Sequence, residues 1–234
     1  MRAKTKKPLA RKPLARRRQI WTTIRELAVT VTFVWLFTNH VAQATVVPSE
    51  SMQPTVLVGD HFFIDKVGFR ANVPDSLQPY IPARPVERGD IVALWSPEEP
   101  GLRLIKRVVG LPGETVEGRG QTVYIDGVAL DEPYTRHTHP LPGHRDDFGP
   151  VRVAPDHYFL MGDNRDNSND SRFWGTAPSE ALIGRALFVY WSYDTAPYDP
   201  ATWTWADRAR HYFSVARHFL DRTRWSRTGT ALWR

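Results

Sequence analysis

Hydrophobic and polar positions divide the chain into three regimes. From Leu27 to Val47 the run LAVTVTFVWLFTNHVAQATVV contains no Asp, Glu, Lys or Arg over 21 residues. As a helix it would rise about 31 Å, close to the hydrocarbon thickness of a bilayer. Thr30, Thr32, Asn39, His40 and Gln43 dilute it, so a transmembrane span competes with a short buried helix. From 48 to 200 the period shortens to that of strands. Candidate runs are 61–64, 90–95, 104–109, 122–125, 157–161 and 186–191, parted by turn signals such as Val58-Gly59-Asp60, Arg88-Gly89-Asp90, Leu111-Pro112-Gly113 and Asp126-Gly127. Few stretches between them could hold a long helix, which favours an antiparallel, barrel-like fold over an α/β one. Residues 131 to 150, rich in Pro, His and Gly, read as an excursion from the sheet.

After Pro200 a helical period takes over. Trp205, Ala209, Tyr212, Phe213, Ala216, Phe219 and Leu220 recur at helical spacing, with Arg208, Arg210, Arg217 and Arg222 interleaved. Such a basic amphipathic helix either lies on an anionic membrane surface or packs its stripe on the β domain. The fold class is therefore mainly β: one N-terminal transmembrane helix, an antiparallel barrel-like domain and a C-terminal amphipathic helix. The expected divisions are a basic arm at 1–18, an anchor at 19–47, the β-rich domain at 48–200 and the helix and tail at 201–234.

Charge sharpens this. The net +6 of the 234 residues is an average over unlike parts. Residues 1–18 carry nine Lys or Arg and no acid, and residues 201–234 are +5, whereas 19–200 is −8. A uniformly basic nucleic-acid binder is excluded. The arm, with Lys7-Pro8-Leu9-Ala10-Arg11 repeated at 12–16, reads as a topological signal rather than a nucleic-acid tail. By the positive-inside rule it stays in the cytoplasm, and residues after about 48 lie outside. A basic region, an apolar stretch and Ala42-Gln43-Ala44 is also the layout of a cleavable signal peptide, with a mature start at Thr45. The location is the same in both readings and only the anchorage differs. The absence of cysteine excludes disulfides, thiol catalysis and cysteine-rich zinc sites.

Three segments hold candidate chemistry: Pro48-Ser49-Glu50-Ser51-Met52-Gln53-Pro54-Thr55, Lys106 to Glu114, and Gly162 to Arg172. The Asp/Asn run could be a calcium loop starting at Asp166. But Ser171 stands where the sharp turn needs Gly, and Ala177 where the bidentate Glu should be. His137, His139 and His144 could ligate a metal but sit in a Pro/Gly-rich stretch, so a solvated loop is expected. The three segments, with 88–92, 171–175 and 182–186, resemble in order the bacterial type I signal peptidase family, membrane-anchored serine proteases with a Ser–Lys dyad. The resemblance covers most of residues 46–192.

Carried over residue by residue, the resemblance puts Ser51 at the nucleophile and Lys106 at the general base. Ser49, with the Ser51 N–H, falls on the oxyanion hole, and Ser168 on the serine that positions the lysine amine. Asp163, Asp170 and Arg172 fall on bracing residues, and Val47, Met52, Leu104 and Ile105 on the lining of shallow pockets for small side chains at the first and third positions before the cut. It implies no cofactor and no metal. Its partners would be signal-peptide-bearing precursors and membrane lipid, with no nucleic acid, for a monomer on the outer face of a bacterial plasma membrane. Glu50 departs from the family, which usually has glycine between the two serines.

The residues make chemical sense of this. A serine hydroxyl attacks an amide only when a base takes its proton. A free lysine, with pKa about 10.4, is neutral in only roughly one molecule in a thousand near pH 7.5, and apolar burial raises that fraction. Strand alternation puts Leu104, Lys106 and Val108 on one face and Arg107 on the other. The competing readings are another Ser–Lys processing peptidase, of the pilin or self-cleaving type, and a non-enzymatic exported β protein. A self-cleaving repressor would need a DNA-binding domain, where the residues before the dyad segment hold only an arm and a hydrophobic stretch.

Overall fold

The computed structural model describes residues 13–68, 76, 78–80, 84–138, 146–199 and 202–232. It divides into two units, a helix up to Asn39 and a body from His40 onward. Helix α1 spans Pro13–His40, with proline in its first turn, where the missing N–H costs nothing. Its described side chains are exposed all round, Leu27, Val31, Phe33 and Trp35 among them. Two of the residues that dilute its hydropathy, and Thr38 with them, turn inward on their own backbone. Thr30 Oγ1 donates to the Glu26 carbonyl at 2.9 Å, Thr38 Oγ1 to that of Val34 at 2.9 Å, and Asn39 Nδ2 to that of Trp35 at 2.8 Å. Polar groups satisfied within one helix are cheap to carry in lipid. Within Arg18–Asn39 an 18-residue window reaches a mean hydropathy of 1.3.

The expected anchor boundary at 47 differs from the structure. The helix stops at His40, and Ala42–Val46 is a strand, β1. Thr45 and Val46 are β-branched, and the strand pairs antiparallel with β2 (Asp60–Asp65) from Ala42 opposite Asp65 to Val46 opposite His61.

The remaining strands are β3 (Ile91–Trp95), β4 (Arg103–Gly110), β5 (Thr115–Arg119), β6 (Thr122–Ile125), β7 (Val128–Ala129), β8 (Phe148–Arg152), β9 (His157–Met161), β10 (Ala177–Pro178) and β11 (Leu182–Ser192). They form a seven-stranded sheet in the order β1-β2-β11-β3-β4-β9-β10 and a four-stranded sheet β7-β6-β5-β8, with every strand pair antiparallel. The body is mainly β, as the alternation implied. Its larger sheet is open, with β1 and β10 at its ends among the described residues.

Both faces of the sheet are covered, so single strands feed two cores. Ile91 and Ala93 of β3 join Val47, Met52, Phe62, Ile64, Ala186 and Val189 in one cluster. Val92 and Leu94 join Val108, Leu160, Ala177 and Leu182 in another. A third, under the small sheet, gathers Val109, Val116, Val123, Phe159 and Met161. The C-terminal region contains α2 (Ser171–Trp174), α3 (Trp205–Arg217) and α4 (Phe219–Arg222). Beyond α4 the chain returns to β11, where the Leu232 N–H donates to the Leu187 carbonyl at 2.7 Å and Arg227 grips buried Asp60.

Candidate active site

Lys106 lies mid-strand in β4, directly across from Val92 of β3, with Leu104 and Val108 before and after it on the same face. Val92 and Val108 are fully buried and Lys106 is 2 % exposed. Burial among these groups is the largest influence on the amine and lowers its pKa to about 8. Asp170 and Asp163 pull the other way, while Arg172 adds to the depression. Lys106 Nζ donates to Ser168 Oγ at 2.8 Å. The amine is thus held by a neutral hydroxyl, which fixes its position without the strong bias toward the ammonium that a carboxylate partner would impose.

Ser51 sits in a turn anchored by its neighbour. Met52 is buried in the core, the Val56 N–H donates to the Met52 carbonyl at 2.9 Å, and the Asn164 N–H donates to the Ser51 carbonyl at 3.1 Å. Ser51 Oγ lies 3.4 Å from Ser49 Oγ. Among the described residues the Ser51 N–H makes no hydrogen bond, which leaves it free to donate to an incoming oxygen. Gly162 lies between the serine turn and the lysine's partner. A Cβ placed there would stand 2.3 Å from Ser168 Oγ and 2.4 Å from the Ser51 carbonyl. The lysine's hydroxyl partner and the serine backbone therefore converge on a glycine with no room for a methyl group. Ser51 and Lys106 are not directly hydrogen-bonded among the described residues, a looseness usual before substrate orders a site.

Behind the site is a buried ionic network. Asp170 caps α2, accepts from the Gly162 N–H at 3.0 Å and takes Arg172 Nε at 2.9 Å. Burial pushes the Asp170 carboxyl up, but the Arg172 hydrogen bonds and charge outweigh it and leave it below the usual range. Asp163 is engaged by the other face of β4: Arg107 Nε and Nη2 reach it at 2.8 and 2.6 Å, and Thr55 Oγ1 donates to it at 2.5 Å. Alternation keeps the Arg107 guanidinium off the Lys106 face, as expected. Its positive charge is spent on Asp163 and on the Tyr134 ring, 3.8 Å from the ring centroid. Arg165 pairs with Glu132 at 2.6 and 3.0 Å, and Tyr134 donates to the same carboxylate at 2.9 Å.

The pocket residues do not all fall together. Val47, Met52 and Ile105 share one cluster, whereas Leu104 packs against the opposite one. Glu50 projects toward the 164–167 segment: its carbonyl accepts from Asn164 Nδ2 at 3.1 Å and its carboxylate from Asn167 at 3.3 Å. An open recess is lined by Ser49, Glu50, Ser51, Asn167, Pro197 and Tyr198.

Sequence reasoning did not anticipate Glu132 or Tyr134, and it gave no role to Thr55, Gly162, Asn164 or Arg165 within the segments it singled out. Glu132 and Tyr134 fall in the stretch read as an excursion, and only their burial marks them. In the run considered for calcium, Ser168 and Asp170 are committed to Lys106 and Arg172. His137, Asp146 and Asp166 bring ligand atoms within 4.8 Å of one another, but Asp166 accepts two hydrogen bonds from Thr138 and Arg172 stands 3.9 Å from Asp146. His139 and His144 lie outside the described residues.

The family model described as signal peptidase, peptidase S26, matches residues 20–191. Signal peptidase I of Leptolyngbya laminosa is 37 % identical over 175 residues, covering 72 % of this chain and 78 % of its own. Signal peptidase I S of Bacillus subtilis (strain 168) is 31 % identical over 188 residues, covering 77 % of this chain and 94 % of its own. A crystal structure of a signal peptidase I from Enterococcus faecalis V583 aligns at 37 % identity over 44 % of this chain and 97 % of that one, with a TM-score of 0.40.

Proposed function

The chain belongs to the signal peptidase family, peptidase S26, whose members are serine endopeptidases acting on exported precursors, and from that premise we propose that it cuts them with a Ser51–Lys106 dyad. Neutral Lys106 takes the Ser51 hydroxyl proton as Oγ bonds to the scissile carbonyl carbon. The carbonyl oxygen gains the negative charge and accepts from the Ser51 N–H and the Ser49 hydroxyl, donors each worth about 3 kcal/mol of barrier. Collapse expels the new amino terminus, which takes its proton from the Lys106 ammonium and leaves an acyl group on Ser51. Water then attacks with Lys106 again as base, releasing the signal peptide's carboxylate and restoring the serine.

One observation carries this reading: a lysine 2 % exposed, with a pKa lowered to about 8, held by a hydroxyl rather than by an acid. Half-buried Ile105, packed against a core cluster that contains Val47 and Met52, would meet the small side chains at the first and third positions before the cut. Helix α1 is the proposed anchor, with the basic arm in the cytoplasm and the body outside. The test is cleavage of a precursor with an Ala-x-Ala site by purified Ser51→Ala and Lys106→Ala proteins. Both should be folded and without turnover, and appreciable cleavage by either would sink the dyad.

A further inference from the structure

The stripe of α3 that the sequence marks as apolar is not the side that meets the body. At about 100° per residue, Trp205, Ala209, Ala216, Phe213 and Tyr212 share one arc of roughly 100°. Trp205 is 83 % exposed, and Tyr212 and Phe213 are 70 % each. The opposite arc makes the contact. The His211 ring lies 5.0 Å from that of Trp203 and 6.1 Å from that of Tyr198, and the Ser214 carbonyl accepts from Tyr193 Oη at 3.3 Å. A reciprocal Thr204–Asp207 capping box starts the helix. The body thus holds α3 by its more polar side and turns the aromatic side outward. Past the helix end Leu220 and Trp225 are also exposed, at 76 % and 54 %.

Arginines border this arc on both sides. Arg208 is on one flank and Arg217 on the other, both exposed, with Arg210 on the second flank drawn to Asp207 at 2.7 Å. An apolar strip of Trp, Tyr and Phe between two cationic margins matches the layering of an anionic lipid interface: acyl and glycerol levels for the rings, phosphates for the guanidiniums. A protein partner for such a strip would need acidic margins of its own, whereas an anionic bilayer supplies them everywhere. The family match ends at Trp191, so this surface lies outside the region that defines the family.

We propose that α3 and the residues following it form a second, reversible membrane contact, seating the outward aromatic arc in an anionic lipid surface. The proposal rests on the anchor reading only for the nearness of a bilayer. Because the chain contains no cysteine, Ala209→Cys gives a single attachment point on the arc for a spin label. Full-length labelled protein in phosphatidylglycerol nanodiscs, one chain per disc, should show the label reached by oxygen and shielded from an aqueous nickel chelate. In phosphatidylcholine discs the shielding should fall. Arg208→Gln with Arg217→Gln should weaken the seating roughly twenty-five-fold, at about a fivefold partition per basic residue.

A label as open to the chelate in phosphatidylglycerol as in detergent overturns the proposal. So does shielding that persists in detergent, which would instead indicate a second copy or another protein on the arc. If the chain fails to insert, the anchor reading falls separately, and vesicle flotation decides the matter. Flotation with phosphatidylglycerol but not phosphatidylcholine vesicles supports the contact, and flotation with neither refutes it. Precursor cleavage measured on the same samples keeps a failed contact distinct from a failed active site.

Discussion

At the scale of the residue, the proposed dyad turns on how Lys106 sheds its proton near pH 8 without losing its position. Burial lowers its pKa to about 8, and the rate should follow the neutral fraction. We expect kcat/KM to rise with pH and level off above about 8, measured on a neutral peptide substrate. In Ser168→Ala the amine loses its partner, so both the plateau rate and the midpoint should change. A profile superimposable on that of the unaltered enzyme would argue against Ser168 as a positioning residue. The same burial has a thermodynamic side. Between pH 8 and the unfolded value near 10.5, the unfolded chain holds a proton that the folded one has shed. This lysine's destabilising effect is therefore complete below pH 8 and fades as pH rises through that window. Lys106→Met should abolish cleavage yet raise unfolding stability at pH 7 by about 2 kcal/mol, readable from urea denaturation. A less stable variant would mean that the Ser168 hydrogen bond outweighs the burial of charge.

At the scale of the element, β4 presents its two chemistries by simple alternation: Lys106 toward one core, Arg107 toward Asp163. That much was legible, because a period of two needs no knowledge of partners. Strands β2, β3, β4, β6, β9 and β11 were legible as short strand-like runs, and β1, β5, β7, β8 and β10 were not. β1 hid inside an uncharged run, where composition cannot tell the end of a helix from the start of an edge strand. β8 carries Gly149 and Pro150, residues that normally mark a turn. The Glu132–Arg165 pair joins segments 33 residues apart, and only the folded chain shows that they meet. This pair pins the short 3-10 turn Arg165–Asn167 that leads into Ser168. With side-chain exposures of 3 % and 6 %, neither charge can be left alone. Glu132→Ala should cost about 3–5 kcal/mol in chemical denaturation and lower cleavage with it. A loss below 1 kcal/mol would show that the turn holds itself.

At the scale of the whole molecule, the +6 net charge conceals a division of labour: a basic N-terminal arm, an acidic body that holds the chemistry, and a basic tail whose aromatic arc faces outward. The same scale settles what to expect of Ala42-Gln43-Ala44, which has the form of the enzyme's proposed target. Those residues are in β1, every one of them in register with β2, and a paired strand cannot enter another molecule's active site. Protein extracted from membranes at growth temperature should therefore keep its N-terminus on sequencing, and a predominant start at Thr45 would refute the anchor. Cutting there requires the strand to peel away first, so the yield of shortened chain counts openings of the sheet's edge. Mild heating should raise it in the active enzyme and not in Ser51→Ala. The strand would then act as a fuse: a damaged or overheated enzyme disconnects itself from its mooring, and the released body records how often the edge has failed.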